Sequence, residues 1–332
     1  MSTTSSAASV TGSDVPAWRS RLRALGSGTG GPLIGLLILG LALFIATPYF
    51  LTVNNLLNIL DQVTILGILA IGMTFVIVTG GIDLSVGAVL ALSVMVLGYT
   101  SHNLGWPLPL SILAGVIVGG LCGLLTGLGI TVTKLPPFIA TLAMLSIARG
   151  AANVITDGQQ IVGYPDWFTE LSTERYFGFL TVTAVVLVVL LVAAAAYMRY
   201  RPGGRALYAI GGSAEVARLA GIGVKKTTAG VYVVTGLLAG LAGVVLAARL
   251  DSSQPSAASG IELDTIAAVV IGGASLAGGV GRITGTIVGV LIIGVLRNGL
   301  NLLSVSPFVQ QIVIGVVIAA AVMVDVLRRR DA

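Results

Sequence analysis

Charge is what this sequence lacks most, and that scarcity decides its class. Asp, Glu, Lys and Arg make up 9% of 332 residues, against about 25% in a soluble domain. So few charges cannot cover a water-facing surface, which excludes an ordinary soluble enzyme or binding module. Histidine occurs once, at His102, which argues against a His-based metal site or a Ser-His-Asp triad. Cysteine also occurs once, at Cys122 within VGGLCGLLTG. No internal disulfide can form, and a small apolar core residue is its expected role. The sequence contains no G-x-S-x-G and no H-E-x-x-H. GIGVKKTT (221–228) places Val224 before Lys225, where a phosphate loop requires Gly. GGVGRITG (278–285) reads as a tight turn and not as a dinucleotide fingerprint. No catalytic residue, no metal site and no cofactor is expected in this chain, so it is not read as an enzyme.

What is present is apolar. The chain is 56% hydrophobic with 45 glycines, a composition that suits closely packed membrane helices. Runs near 20 residues recur, and each can cross a bilayer at about 1.5 Å per residue. The expected fold is an all-α polytopic membrane protein with about ten transmembrane helices, near 31–48, 61–79, 84–100, 108–131, 137–155, 179–198, 228–248, 264–280, 284–303 and 307–327. A polar opening, MSTTSSAASVTGSDVP, lacks the positive stretch of a signal peptide. Residues 1–30 are therefore read as a disordered cytoplasmic tail, 31–327 as the membrane domain and 328–332 as a basic cytoplasmic tail. With both termini cytoplasmic, all of the 18 basic residues except Arg149, Arg175, Arg249 and Arg297 fall on the inner side, as the positive-inside rule requires. The net charge of +5 follows from this bias and needs no nucleic acid.

Two loops are large. The outer one, 156–178, carries Asp157, Asp166, Glu170 and Glu174 beside Trp167. It is either an interfacial aromatic belt or a docking surface for an external protein. The inner one, 199–227, contains a helix of about two turns. Ser213 is its N-cap, Glu215 lies in its first turn, and Gly221 is its C′ residue. Val216, Leu219 and Ala220 form a stripe that needs lipid or, preferably, a protein groove.

GGIDLSVG (80–87) interrupts the apolar pattern. Asp83 can cap a helix beginning at Leu84 in a turn near the cytoplasmic surface, or the stretch can re-enter the bundle and line a path. GGASLAGG (272–279) echoes it weakly. Asp61, Asp83, Asp264 and Asp325 fall at span ends, and Arg149 and Arg297 in outer turns from which they can snorkel. An ion-driven carrier would need buried ionisable groups, so uphill transport requires energy from outside the chain. A path for a polar, uncharged solute suits uncharged polar groups. The candidates are Gln62, Thr74, Thr79, Ser85, Asn153, Asn298 and Asn301, with Asp83 beside them, each also able to serve as a helix–helix hydrogen bond. Asn298 and Asn301 share a face.

GMTFVIVTGGIDLSVGAVLAL, LPPFIATLAMLSIARGAANVITDGQQI, GRALYAIGGSAEVARLAGIGV and IGGASLAGGVGRITGTIVGVLIIGVLRNGLNLLSVSPFVQQIVIGVVI together resemble the permease subunit of ribose-type ABC importers over about residues 45–330. The resemblance implies a homodimer of the permease in the bacterial cytoplasmic (inner) membrane. A separate ATPase would bind ATP and Mg, and an extracytoplasmic sugar-binding protein would deliver the cargo. It maps the ATPase-coupling loop onto Gly204 through Val224, with Glu215, Ala217, Arg218 and Gly221 at matching positions. Ser213 departs from the more frequent Asn. Ser213, Glu215, Val216, Arg218, Leu219 and Gly221 are thus the expected coupling residues. Ribose or another pentose is the expected cargo, with hexoses, polyols and autoinducer-2 open, and branched-chain amino acids as the alternative.

Overall fold

The computed structural model describes residues 30–330. The expected tail with Arg19, Arg21 and Arg23 lies outside the described residues, as do positions 331 and 332. Thirteen helices are described: α1 Gly30–Ala46, α2 Val53–Val78, α3 Val86–His102, α4 Leu108–Thr131, α5 Pro137–Val154, α6 Asp166–Thr173, α7 Val182–Tyr200, α8 Pro202–Gly212, α9 Ala214–Leu219, α10 Val224–Leu250, α11 Ile261–Ile271, α12 Ile283–Leu302 and α13 Pro307–Arg330. Two-residue strands β1 (Ile161–Val162) and β2 (Ser252–Ser253) pair antiparallel, Ile161 opposite Ser253. Among the described residues, six helices are long and apolar enough to cross a membrane: α2, α4, α5, α7, α10 and α12. Gly30–Ala46, Val86–His102 and Pro307–Met323 are apolar but shorter.

α2 is the central helix. Every residue from Val63 to Val78 is buried, surrounded by α7, α10, α11 and α12. Its all-round apolar sequence is the pattern of a helix with neighbours on every side. The outer helices show the opposite: Ile45, Val154 and Phe308 are each more than three-quarters exposed, which only a lipid environment or another chain makes tolerable.

Between helices in lipid, close approach of small residues replaces the hydrophobic driving force. α4 carries Gly115, Gly119, Gly123 and Gly127 at intervals of four, and α10 meets them with Ala229, Gly236 and Gly240. A Cβ on Gly119 would strike the Gly236 carbonyl, and one on Gly123 the Tyr232 carbonyl. Backbone touches backbone along this seam.

Two expectations need correction. The expected span 264–280 is not one helix: α11 is eleven residues long and stops at Ile271, and residues 272–282 are non-helical. Gly272 and Gly273, two poor helix formers, are where it ends. The inner loop holds two helices, because α8 precedes α9. Pro202 starts α8 at its first position, and Leu207 and Ile210 form its buried face.

Candidate functional site

Three linked features stand out: the break after α2, a polar cavity beside α11, and the exposed pair α8–α9.

α2 ends in a Schellman motif. Gly80, at φ +81°, donates to the Ile77 carbonyl at 2.9 Å, and Gly81 to the Val76 carbonyl at 3.0 Å. Glycine is required there because the left-handed backbone penalises a Cβ. The chain then runs back beside α2. Asp83 is 4% exposed, and its Oδ1 accepts the Ser85 backbone N–H at 2.8 Å and the Ser85 hydroxyl at 2.6 Å. Thr141 on α5 donates to the Ile82 carbonyl at 3.3 Å. Asp83 therefore closes a local Asx turn ahead of the helix and is not its N-cap residue. α3 begins at Val86, and its N-cap position is Ser85.

The break is not at the end of the bundle. Gly72 of α2 faces Thr235 of α10, and Gly243 of α10 faces Leu90 of α3. Eight α10 residues, about 12 Å, separate those levels. α3 thus starts roughly half-way along α2. At that depth it meets the start of α11: a Cβ on Gly87 would lie 2.7 Å from the Ala258 carbonyl and 2.5 Å from Glu262 Oε2. Two short helices begin inside the bundle, an arrangement that elsewhere marks solute sites.

Beside α11 lies a cavity of about 400 Å³ between α2, α10, α12 and the segment 252–259. Gln62, Arg249, Gln254, Asp264 and Arg297 line it. Arg297 forms an ion pair with Asp264 across α12 and α11, Nη2 lying 2.5 Å from Oδ2. Nearby, Arg175 pairs with Asp61 at 2.6 Å. Arg149 donates to the carbonyls of Pro255 at 2.7 Å and Ala257 at 3.0 Å, which pins the cavity wall. Arg149 and Arg297 are therefore held by partners in the bundle and do not snorkel outward. Beyond the cavity, the Tyr164 hydroxyl shares a hydrogen bond with Ser253 at 2.6 Å, and burial pushes this phenol up to about 12.

At the opposite end, α9 is a short helix capped at both ends. Ser213 accepts the Val216 N–H at 3.3 Å. Gly221, at φ +82°, donates to Arg218, and Ile222 to Ala217, each at 3.0 Å. That is a second Schellman motif. Arg218 pairs with Glu215 across one turn, but both are exposed, so the bond contributes little. Val216 and Leu219 are exposed and Ala217 is buried. α8 joins α9 to the core: a Cβ on Gly211 would strike both the Val78 carbonyl and the Gly279 N–H, which are themselves bonded at 2.9 Å.

Of the candidate path residues, Gln62 alone lines the polar cavity. Asn298 pairs with Asn55 through two hydrogen bonds of 2.7 and 2.9 Å. Asn301 accepts from Gln310 at 2.7 Å. Thr74 shares a 2.8 Å bond with Thr286, Thr79 donates to the Val76 carbonyl, and Asn153 is exposed and donates to Arg149. Sequence reasoning missed Arg249, Gln254, Asp264 and Arg297 as a group. Their positions look like span ends only if every apolar run crosses completely. The signal available was two opposite charges, Asp264 and Arg297, at matching depth on successive antiparallel runs.

A bundle of apolar helices with lipid-tolerant outer faces, a half-open cavity walled in part by an ion pair and an exposed capped helix at one end is the architecture of a membrane transport protein. The chain belongs to the family described as branched-chain amino acid transport system / permease component, whose model matches residues 55–322. It is 48% identical over 297 residues to the ribose import permease protein RbsC of Bacillus subtilis, covering 89% of this chain and 92% of that one. The corresponding Escherichia coli K12 protein is 45% identical over 302 residues, covering 88% and 92%. The E. coli xylose transport system permease protein XylH is 34% identical over 341 residues, covering 85% and 87%. No solved structure matches the chain.

Proposed function

We propose that this chain is the membrane-spanning permease subunit of an ATP-driven importer for a monosaccharide, with ribose the leading cargo. The observation that carries the reading is end-to-end identity of 48% and 45% with two ribose import permeases. Ten apolar helices cross the bilayer in this reading: α1 to α5, α7, and α10 to α13, with α3 and α11 crossing only in part. An even number puts both ends on one side, and the basic residues of 199–227 make that side cytoplasmic. α6 and the acidic loop 156–178 then face outward toward a sugar-binding protein. The exposed Val216 and Leu219 on α9 offer the groove of a separate ATPase two apolar anchors. ATP and Mg belong to that partner. Two copies of the permease form the conduit in a bacterial inner membrane.

Force on α9 reaches the core through Gly211, because α8 sits directly on the contact between Val78 and Gly279. The partner can shift the bundle only by its differential affinity for the two states.

The description of the family model favours a second cargo class, branched-chain amino acids. One experiment separates them. The permease is reconstituted in vesicles with its ATPase and binding protein, and ATP hydrolysis and uptake are measured with D-ribose or L-leucine. Ribose-dependent stimulation with radiolabelled ribose accumulation is expected. Stimulation by leucine alone sinks the sugar reading.

A further inference from the structure

The polar cavity raises a question that the ion pair alone does not answer. A buried ion pair is stable only when its remaining lone pairs and protons are also satisfied. Asp264 is 3% exposed. Its Oδ2 lies 2.5 Å from Arg297 Nη2; its Oδ1 and the Nε of Arg297 have no partner among the described residues and no accessible surface. The cavity therefore meets the accessible remainder of this pair, together with Gln62 and Gln254. A hydroxyl both donates and accepts, so a polyhydroxylated molecule matches a wall that offers donors and acceptors side chain by side chain.

The other features agree. The volume, about 400 Å³, lies in the range of about 300–1,000 Å³ found for small-molecule sites. Gln62 and Gln254 add neutral hydrogen-bonding groups on facing walls. Asp264 and Arg297 neutralise each other as an ion pair, and Arg249 adds a further N–H donor group to the wall, which a neutral polyhydroxylated molecule can use through its hydroxyl oxygens. Arg149 fixes the wall on either side of Ser256 through the carbonyls of Pro255 and Ala257, so the site is pre-formed by a side chain that does not line it.

We infer that this cavity is an intramembrane subsite for the hydroxyls of a neutral monosaccharide, bound by Gln62, Gln254, Asp264 and Arg297. The inference rests on the monosaccharide-permease reading and adds to it a place and a set of binding groups. Each hydrogen bond is individually weak once exchange with water is counted, so the sugar pauses there and is not trapped.

The test uses the assembled importer in vesicles, with Cys122→Ala to remove the native thiol and Ser256→Cys as a reporter on the exposed cavity rim. A water-soluble methanethiosulfonate labels the reporter, and the labelling rate is followed with increasing D-ribose or L-leucine. Ribose is expected to slow labelling at least fivefold and leucine to leave it unchanged. Adding Gln62→Leu, which removes no charge, should shift protection to about five- to tenfold higher ribose. Absence of labelling, labelling indifferent to ribose, or equal protection by leucine overturns the subsite. Ribose uptake measured in the same vesicles keeps the two readings apart. Uptake without protection removes the subsite and leaves the permease standing; no uptake of any monosaccharide removes both.

Discussion

The two glycine-rich breaks begin alike and end differently. After α2, Gly80 and Gly81 close a Schellman motif on Ile77 and Val76; after α11, Gly273 and Ala274 close the same motif on Val270 and Val269. The equivalence is Gly80 with Gly273, one residue out of register from the echo visible between 80–87 and 272–279. Beyond the motif they diverge. Residues 82–85 run back into the bundle, braced by Asp83, and release α3 at mid-depth. Residues 274–282 stay at the end of the bundle, folded on a Ser275–Val280 bond, with Gly278 and Gly279 both left-handed. A carboxylate sustains an interior break, where stray backbone N–H groups have no water. Glycines suffice for a terminal one. The two then touch through the Gly279 N–H and the Val78 carbonyl, with α8 resting on both.

The largest expected effect comes from wedging that shared contact. Gly211→Val places a branched side chain against the Val78 carbonyl and the Gly279 N–H. Both are backbone, so neither can rotate away, and overpacking costs about 1–3 kcal/mol or more. Loss of folded permease, read as loss of a monodisperse peak in detergent, is expected. A well-folded Gly211→Val variant would mean that the breaks do not meet as tightly as described.

Next in size is the brace itself. Asp83→Leu leaves the Ser85 N–H and hydroxyl without their acceptor in a buried setting, at about 1–3 kcal/mol. Asp83→Asn retains an Oδ1 acceptor and should lose much less. Ser275→Ala, in the terminal break, removes a hydroxyl that makes no side-chain bond among those described, and should change the thermal midpoint least. If Ser275→Ala proves as damaging as Asp83→Leu, the contrast between an interior and a terminal break fails.

Much of this was legible in sequence. The apolar runs, the N-cap at Ser213 and the C′ glycine at Gly221 follow from composition and local capping chemistry, and the helix they predict is present. α8 was missed because AIGG lacks the charged turns that announce a surface helix, although Pro202 marked its start. The polar cavity was missed for a deeper reason. Periodicity reports that a run is apolar but not how far it travels, and α11 stops after eleven residues. Once a helix begins inside the bundle, a residue near its end, such as Asp264, is interior. Asn298 and Asn301 do lie one turn apart, yet the former faces α2 and the latter α13; spacing fixes a helical face but not its neighbour.

The smallest effect tests whether the two breaks share one device. Gly80→Ala and Gly273→Ala both place a Cβ in open space: the nearest atom to the first would be the Ala277 carbonyl oxygen at 3.8 Å, and the second has none within 4 Å. Sterics with neighbours therefore drop out and only the left-handed backbone remains, worth about 1–2 kcal/mol against an L-residue. The loss of glycine's freedom in the unfolded chain returns about 0.4–1 kcal/mol. The net penalty lies between about 0 and 1.6 kcal/mol, and it should be equal at the two sites, since φ is +81° at Gly80 and +92° at Gly273. Matched decreases in the thermal midpoint of the two purified variants would make the motifs interchangeable. A clearly larger decrease for Gly80→Ala would instead place strain in the interior break, transmitted from the turn that Asp83 braces.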